Sequence, residues 1–283
     1  SSDLSAQAAQ RLIASYILDH HEGHSGIVYC LSRKDTHTMA DALAQHSSGR
    51  IRTGVYHSDL DEAEKHRVHA QWRTGAIQVV CATIAFGMGI DKGDVRFVVH
   101  ACISKSLEGY YQETGRAGRD GAPSDCVLLY RAAADMSRVS GMTASEVGAQ
   151  AKLHAMLRYA QSELCRQSIL ATYFDEPRTE PCGVCDRCQS PPPRHADVSV
   201  WAAHAVQVVS DVYARGSRIT LAALADAVYA AAKSDAALSR VDCECLVVQL
   251  VLDGYLSERF QATAYTVNMY VVPCPQASHK GPV

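Results

Sequence analysis

The 283-residue sequence predicts an α/β fold: a parallel sheet with helices, then a helical segment holding a cysteine cluster, then three helices and a hairpin. Three observations predict it. Short apolar runs alternate with amphipathic stretches as far as Tyr130. The strand signal then vanishes from Ala132 to Phe174, ahead of a proline-punctuated stretch with three closely spaced cysteines. Beyond Pro191-Pro-Pro193, three helical periodicities precede one alternating segment.

Taken in order, Ala6 to His20 carries Ala8, Leu12, Ile13, Tyr16 and Ile17 at helical spacing. Gly26 to Cys30 is a continuous apolar run, as in a strand covered on both faces. Ser32 caps the next helix, whose apolar stripe is Thr38, Met39, Ala42 and Leu43. Strands follow at Thr53–Tyr56, Ile77–Cys81, Val95–His100 and Cys126–Tyr130, with helices at Glu62–Trp72 and Leu107–Glu113. That rhythm gives a parallel sheet with ligand chemistry at the carboxyl ends of the strands. Val198–Tyr213, Leu221–Tyr229 and Arg240–Asp253 read as helices and Tyr255–Val272 as a hairpin, a winged-helix outline.

Composition narrows the function. Hydrophobic residues are 47% and charged residues 20% of the chain, a globular balance rather than a disordered one. Net charge is −3, with 15 Lys+Arg against 16 Asp+Glu through residue 145 and 12 against 14 beyond it. Binding nucleic acid by bulk charge is excluded, so any such contact needs local, well-placed groups. Eleven cysteines in a chain this large are no disulfide framework, and a reducing compartment is expected. The longest apolar run, Leu246–Leu252, is interrupted by Gln249 and is far too short to span a membrane. The chain opens without Met or a signal-peptide pattern and reads as a piece of something longer.

Cys182, Cys185 and Cys188 stand two residues apart, and Cys165 lies seventeen residues upstream. Four thiolates so spaced satisfy a closed tetrahedral zinc site. An iron–sulfur cluster is the rival, but no cysteine follows Cys188 within three residues and the fourth sulfur comes from a helix. After the strand ending near Ala82, Thr83, Gly87, Gly89 and Asp91 lie at the rim; Lys92 stands where a dinucleotide fingerprint needs its third glycine. Arg116 and Arg119 project from a helix end softened by glycines, as suits phosphate oxygens and phosphoryl transfer. The alternative is a loop salt-bridged through Glu113 and Asp120. Asp61-Glu-Ala-Glu64 imitates a DEAH box but sits at a helix start, where it serves the helix dipole.

In this order, Thr83-Ile-Ala-Phe-Gly-Met-Gly-Ile-Asp91 and Gln112-Glu-Thr-Gly-Arg-Ala-Gly-Arg-Asp120 resemble motifs V and VI of superfamily 2 helicases. Val28-Tyr-Cys-Leu-Ser-Arg33 resembles motif IV. With Tyr56-His57, Val95–His100, the four cysteines and the winged-helix outline, the resemblance is to the RecQ family over nearly the whole chain. Glu108–Glu113, Leu252–Leu256 and Thr263–Val267 look most like its Bloom-type branch. The resemblance implies a second RecA-like lobe (1–145), a helical zinc-binding subdomain (146–194) and a winged-helix domain (195–283) of an ATP-dependent 3′–5′ DNA helicase. It implies a nuclear protein of DNA repair and recombination that binds single-stranded and forked duplex DNA.

Arg116 and Arg119 would face the triphosphate, with Arg119 as the finger, and Asp91 would lie near the ribose. Ser32, Arg33, His57 and Thr83 would hold the DNA backbone. Ser239 and Arg240, opening the third helix of the winged outline, would bind a duplex phosphate, unless they merely cap the helix and pair with Glu244. Phe260, near the hairpin tip, is either a strand-separating wedge or a core residue. Zn²⁺ is structural, whereas ATP and Mg²⁺ need a first lobe, because these residues hold no Gly-x-x-x-x-Gly-Lys-Ser/Thr cradle. Where the family usually has Tyr-His-Ala-Gly-Leu, this chain has Tyr56-His-Ser-Asp-Leu60. The competing readings are a non-enzymatic DNA-binding or assembly module and an RNA helicase, which would lack the cysteine cluster followed by a winged helix.

Overall fold

The computed structural model describes residues 6–87, 92–176, 178, 180–191, 196–234, 238–264 and 266–275. They form two units, one from residues 4–104 and 108–130 and the other from 105–107 and 131 onward.

In the first unit, β1 (Ser25–Tyr29), β2 (Thr53–Tyr56), β3 (Val79–Ala82), β4 (Val95–His100) and β5 (Asp125–Leu128) form one sheet in the order β2-β3-β1-β4-β5. Every pairing in it is parallel. Parallel strands need crossovers, and α1 (Ala6–His20), α2 (Arg33–His46), α3 (Glu62–Arg73) and α4 (Leu107–Thr114) punctuate the strand sequence. Because strand side chains alternate, β1 sends Val28, with Cys30 just past its end, to a core shared with Ile13 and Ile17 of α1 and Met39 and Leu43 of α2. Its other face sends Ile27 and Tyr29 to a core with Val68 and Trp72 of α3 and with Phe86. Burying one such large apolar side chain contributes about 1.5–3 kcal/mol, so the two cores hold the strand ends in fixed positions.

The element boundaries follow the sequence reading to within about two residues, with one correction of face. The stripe of α2 is built from Thr36, Met39, Ala40, Ala42 and Leu43, and Thr38 is exposed. Thr36 buries because its hydroxyl donates to the Arg33 carbonyl at 2.6 Å, which satisfies a polar group that would otherwise be costly inside. Asp61 caps α3, accepting from the Glu64 N–H at 2.7 Å, so the DEAH-like string is helix-start charge as expected.

The second unit contains α5 (Ala132–Thr143), α6 (Ala149–Gln161), α7 (Arg166–Tyr173) and the short α8 (Asp186–Gln189). These are followed by α9 (Ser199–Ala214), α10 (Leu221–Ala231), α11 (Arg240–Leu252) and the antiparallel pair β6 (Leu256–Ala262) and β7 (Val267–Pro273). Among the described residues no helix is long and apolar enough to cross a membrane. Glu258 of β6 is tied to α5 and α6: Ser140 Oγ donates to it at 2.8 Å and His154 Nε2 lies 2.9 Å away. Phe260 lies within β6 opposite Met269, half-buried; the tip of the hairpin is the turn between Ala262 and Val267.

Gly26 of β1 is a sensitive point of the sheet. A Cβ there would sit 2.1–2.4 Å from the ring of Phe97, which is fully buried and has nowhere to go. Gly26→Ala is therefore expected to destabilise the first unit by about 1–3 kcal/mol through overpacking, read as a lower midpoint in urea denaturation.

Candidate functional site

The carboxyl ends of β1, β2 and β3 gather the residues that the sequence singles out. After β1, Ser32 caps α2 in a capping box with Asp35: its Oγ accepts from the Asp35 N–H at 3.2 Å, and its own N–H donates to Asp35 at 3.0 Å. Arg33, the first residue of α2, pairs with Asp59. After β2, His57 is buried, with Nε2 3.0 Å from His37 Nε2. Burial, and then the charges of His37, Arg33 and Lys65, lowers the His57 pKa, so it stays neutral at pH 7. After β3, Thr83 donates its N–H to the Tyr56 carbonyl at 3.2 Å and accepts from the Phe86 N–H at 3.0 Å. Asp91 lies outside the described residues.

Arg116 reaches the same rim from beyond α4. Its Nη1 donates to the Gly87 carbonyl at 2.6 Å, and its Nε is buried without a partner among the described residues. A Cβ on Gly87 would come within 2.7 Å of the guanidinium, so only glycine admits it this closely. Arg119, one turn on, is exposed, with Nε 3.4 Å from the Gly115 carbonyl.

The two acids of the salt-bridged-loop alternative serve other partners. Asp120 accepts both oxygens' bonds from Arg96 at 2.6 Å, which holds its carboxyl below the usual range. Glu113 is buried, accepting from Ser104 Oγ at 2.7 Å and from His100 Nε2 at 2.7 Å. The His100 ring stacks on Tyr29 at 5.2 Å, and the Tyr29 hydroxyl donates to the Phe86 carbonyl at 2.9 Å. Burial pushes the Tyr29 phenol up, with Arg116 pulling against it, so it remains a donor.

In the second unit the four cysteines converge. Cys165 caps α7, Cys185 caps α8, and all four sulfurs lie within 4.8 Å of one another. Gly183 has φ +74°, a left-handed turn that bends Cys182 and Cys185 toward one point. The Cys182 N–H donates to Cys165 Sγ at 3.3 Å and the Arg166 N–H to Cys185 Sγ at 3.5 Å. Burial works to raise the Cys165 thiol, but the Cys182 N–H and Ser168 outweigh it and hold it at about 5. Arg166 clamps Asp186 between the ligands at 2.9 and 3.0 Å. Four sulfurs at this separation, with N–H groups already aimed at them, fit a tetrahedral thiolate-bound metal.

Residues 7–121 match the family model described as helicase conserved C-terminal domain, and residues 133–189 match the RecQ zinc-binding model. The chain belongs to the RecQ family. It is 41% identical to the ATP-dependent DNA helicase Q-like 2 of Arabidopsis thaliana over 94% of this chain and 38% of that protein. It is 36% identical to the ATP-dependent DNA helicase Q1 of Rattus norvegicus, covering 94% of this chain and 44% of that one. It is also 36% identical to the RecQ-like DNA helicase BLM of Xenopus laevis, covering 88% and 21%. The similarity thus extends to Q1-named and Bloom-type relatives alike. The chain spans 38% and 44% of the length of the first two of these relatives. Among solved structures it is similar to the Mycobacterium smegmatis helicase Lhr, at 19% identity and a TM-score of 0.42, covering 95% of this chain and 30% of that one.

The first unit is accordingly the RecA-like carboxyl-terminal lobe of a RecQ protein, and the cluster lies in its zinc-binding segment. At the start of α11, Ser239 forms a capping box with Asp242, and Arg240 pairs with Asp226 at 2.8 Å and with Glu244. Both parts of the capping alternative are thus formed. The RecQ residues that sequence reading passed over are His100, Ser104 and Tyr29, which hold Glu113 and the Phe86-Gly87 turn behind Arg116. His100 reads as one more strand residue, and nothing local marks its pairing. Glu113→Ala would leave His100 Nε2 and the Ser104 hydroxyl buried without an acceptor. It is expected to cost about 1–3 kcal/mol in denaturant-measured stability, whereas an exposed acid such as Glu62 replaced by Ala changes it little.

Proposed function

We propose that this chain is the C-terminal portion of the catalytic core of an ATP-dependent DNA helicase that moves 3′ to 5′ along single-stranded DNA, acting in nuclear DNA repair and recombination. The observation that carries the reading is the shared rim. Ser32, Arg33, His57 and Thr83 lie past neighbouring strand ends, and Arg116 is seated on Gly87 beside them. Hydroxyls, N–H groups and an arginine at strand ends suit sugar–phosphate contact, which positions a strand without reading its sequence. Such local contacts are also what a chain of net charge −3 requires.

Arg116 and Arg119 are the proposed nucleotide-facing groups, with Arg119, the exposed one, as the finger and Asp91 as the ribose contact. ATP and Mg²⁺ would be held with a first lobe that carries the phosphate cradle; what this chain supplies is positive charge aimed at the phosphoryl oxygens. The division into lobe (1–145), zinc-binding subdomain (146–194) and winged-helix domain (195–283) belongs to the same proposal. Ser239 and Arg240 are the proposed duplex contact, where a phosphate would replace Asp226 and Glu244 on the guanidinium. A second reading is a DNA-binding module without turnover, for which the cysteine cluster and the helices and hairpin from α9 to β7 would suffice.

The two readings part on kinetics. The purified chain is expected to show no DNA-stimulated ATP turnover, which its measurable appearance would refute. In a longer protein carrying the cradle, Arg119→Ala should lower turnover by about 10³ while DNA binding is kept. Retention of full turnover would remove Arg119 from the finger role, and absence of any turnover in that longer protein would favour the binding module.

Cys165, Cys182, Cys185 and Cys188 are proposed to bind one structural Zn²⁺. Structural zinc binding is worth on the order of 10 kcal/mol, comparable with the stability of a domain. Elemental analysis should therefore give about one zinc and no iron per chain. Chelation or Cys182→Ser should open residues around α7 and α8 to proteolysis; iron in a pure, folded sample would overturn the assignment.

A further inference from the structure

This chain departs from the family pattern at Ser58-Asp59, and the departure meets a proposed DNA contact. Asp59 Oδ2 pairs with Arg33 Nη1, and both side chains are more than half exposed, at 54% and 58%. The loop is anchored so that the two meet. His57 bonds His37, one helical turn beyond Arg33 on α2, and Ser58 Oγ donates to Asp59 Oδ1 at 3.2 Å.

A carboxylate and a backbone phosphate ask the same thing of a guanidinium: a pair of oxygens in its plane. We propose that Asp59 is an internal counter-ion for Arg33, an affinity-determining residue that a nucleic-acid phosphate must displace. The inference rests on Arg33 being a backbone contact. Its consequence is that this chain grips single strands less tightly than it would with an uncharged residue at 59. It also releases fewer ions on binding, because the displaced carboxylate takes up a cation as the phosphate gives one up.

Titration of a labelled single-stranded oligothymidine with wild type, Asp59→Asn, Asp59→Glu, Arg33→Ala and the Arg33→Ala/Asp59→Asn double variant tests this. At low salt, Asp59→Asn should tighten Kd about three- to fivefold, the scale of an exposed ion pair. Its log–log salt dependence should steepen by about 0.7, the scale of one more net cation released from a single strand. Asp59→Glu should keep wild-type behaviour, and adding Arg33→Ala to Asp59→Asn should erase the gain. Equal affinity of Asp59→Asn and wild type, including no measurable binding by either, overturns the proposal. So does an equal gain from Asp59→Asn with Arg33 already removed, since Asp59 would then act as a bare repulsive charge. Asp59→Asn and the double variant binding alike removes Arg33 from the DNA contacts altogether. A double variant weaker than Asp59→Asn, with Asp59→Asn no tighter than wild type, keeps Arg33 as a contact and removes only the counter-ion. Both positions are exposed, so unchanged thermal melts are expected throughout.

Discussion

A carboxylate taken out of water must be paired, and the pairing of Glu113 organises the functional edge of the first unit. His100 comes from the end of β4 and Ser104 from the segment after it, and both donate to one oxygen of Glu113 on α4. That anchors the helix whose continuation presents Arg116 and Arg119. The same His100 ring stacks on Tyr29 at the end of β1, and Tyr29 in turn holds the Phe86 carbonyl next to Gly87, on which Arg116 rests. Three sequence segments far apart in the chain are joined through one buried acid. Their geometry is tied to it because a buried carboxyl left without hydrogen-bond partners is costly.

The rim is electrostatically arranged rather than simply basic. Asp120 pairs with Arg96, Asp59 meets Arg33, and the Gly87 carbonyl receives Arg116. A guanidinium resting on a carbonyl keeps its full charge for an incoming anion, whereas one resting on a carboxylate must exchange partners. Arg116 is of the first kind and Arg33 of the second.

The cysteine cluster solves a different problem. Among the described residues of 162–191 the helices are the short α7 and α8, and Leu170 is the buried side chain of α7. A stretch so poor in core cannot repay the entropy of ordering its backbone. Four thiolates around one ion would supply what packing does not, and the Arg166–Asp186 pair ties the Cys165 and Cys185 turns together.

The sequence by itself determined the alternation of strands and helices, the buried central strands, the four cysteines that cluster and the glycine-softened arginine segment. Each is a local pattern: period 2 or 3.6, a cysteine spacing, a cap. It reached β4 residue for residue because Val95, Phe97, Val98 and Val99 make a compact apolar run, and it read Asp61–Glu64 as helix-start charge from position alone. Only the tertiary structure decided the strand order β2-β3-β1-β4-β5, the burial of Thr36 in place of Thr38, and the place of Phe260 inside a strand. It alone decided that Asp120 serves Arg96, that Glu113 serves His100 and Ser104, and that Asp59 meets Arg33. The physical reason is common to all of them. Periodicity says which face a residue takes, whereas the partner of a long polar side chain is set by which distant segments the closed sheet brings within about 3 Å, the reach of a hydrogen bond.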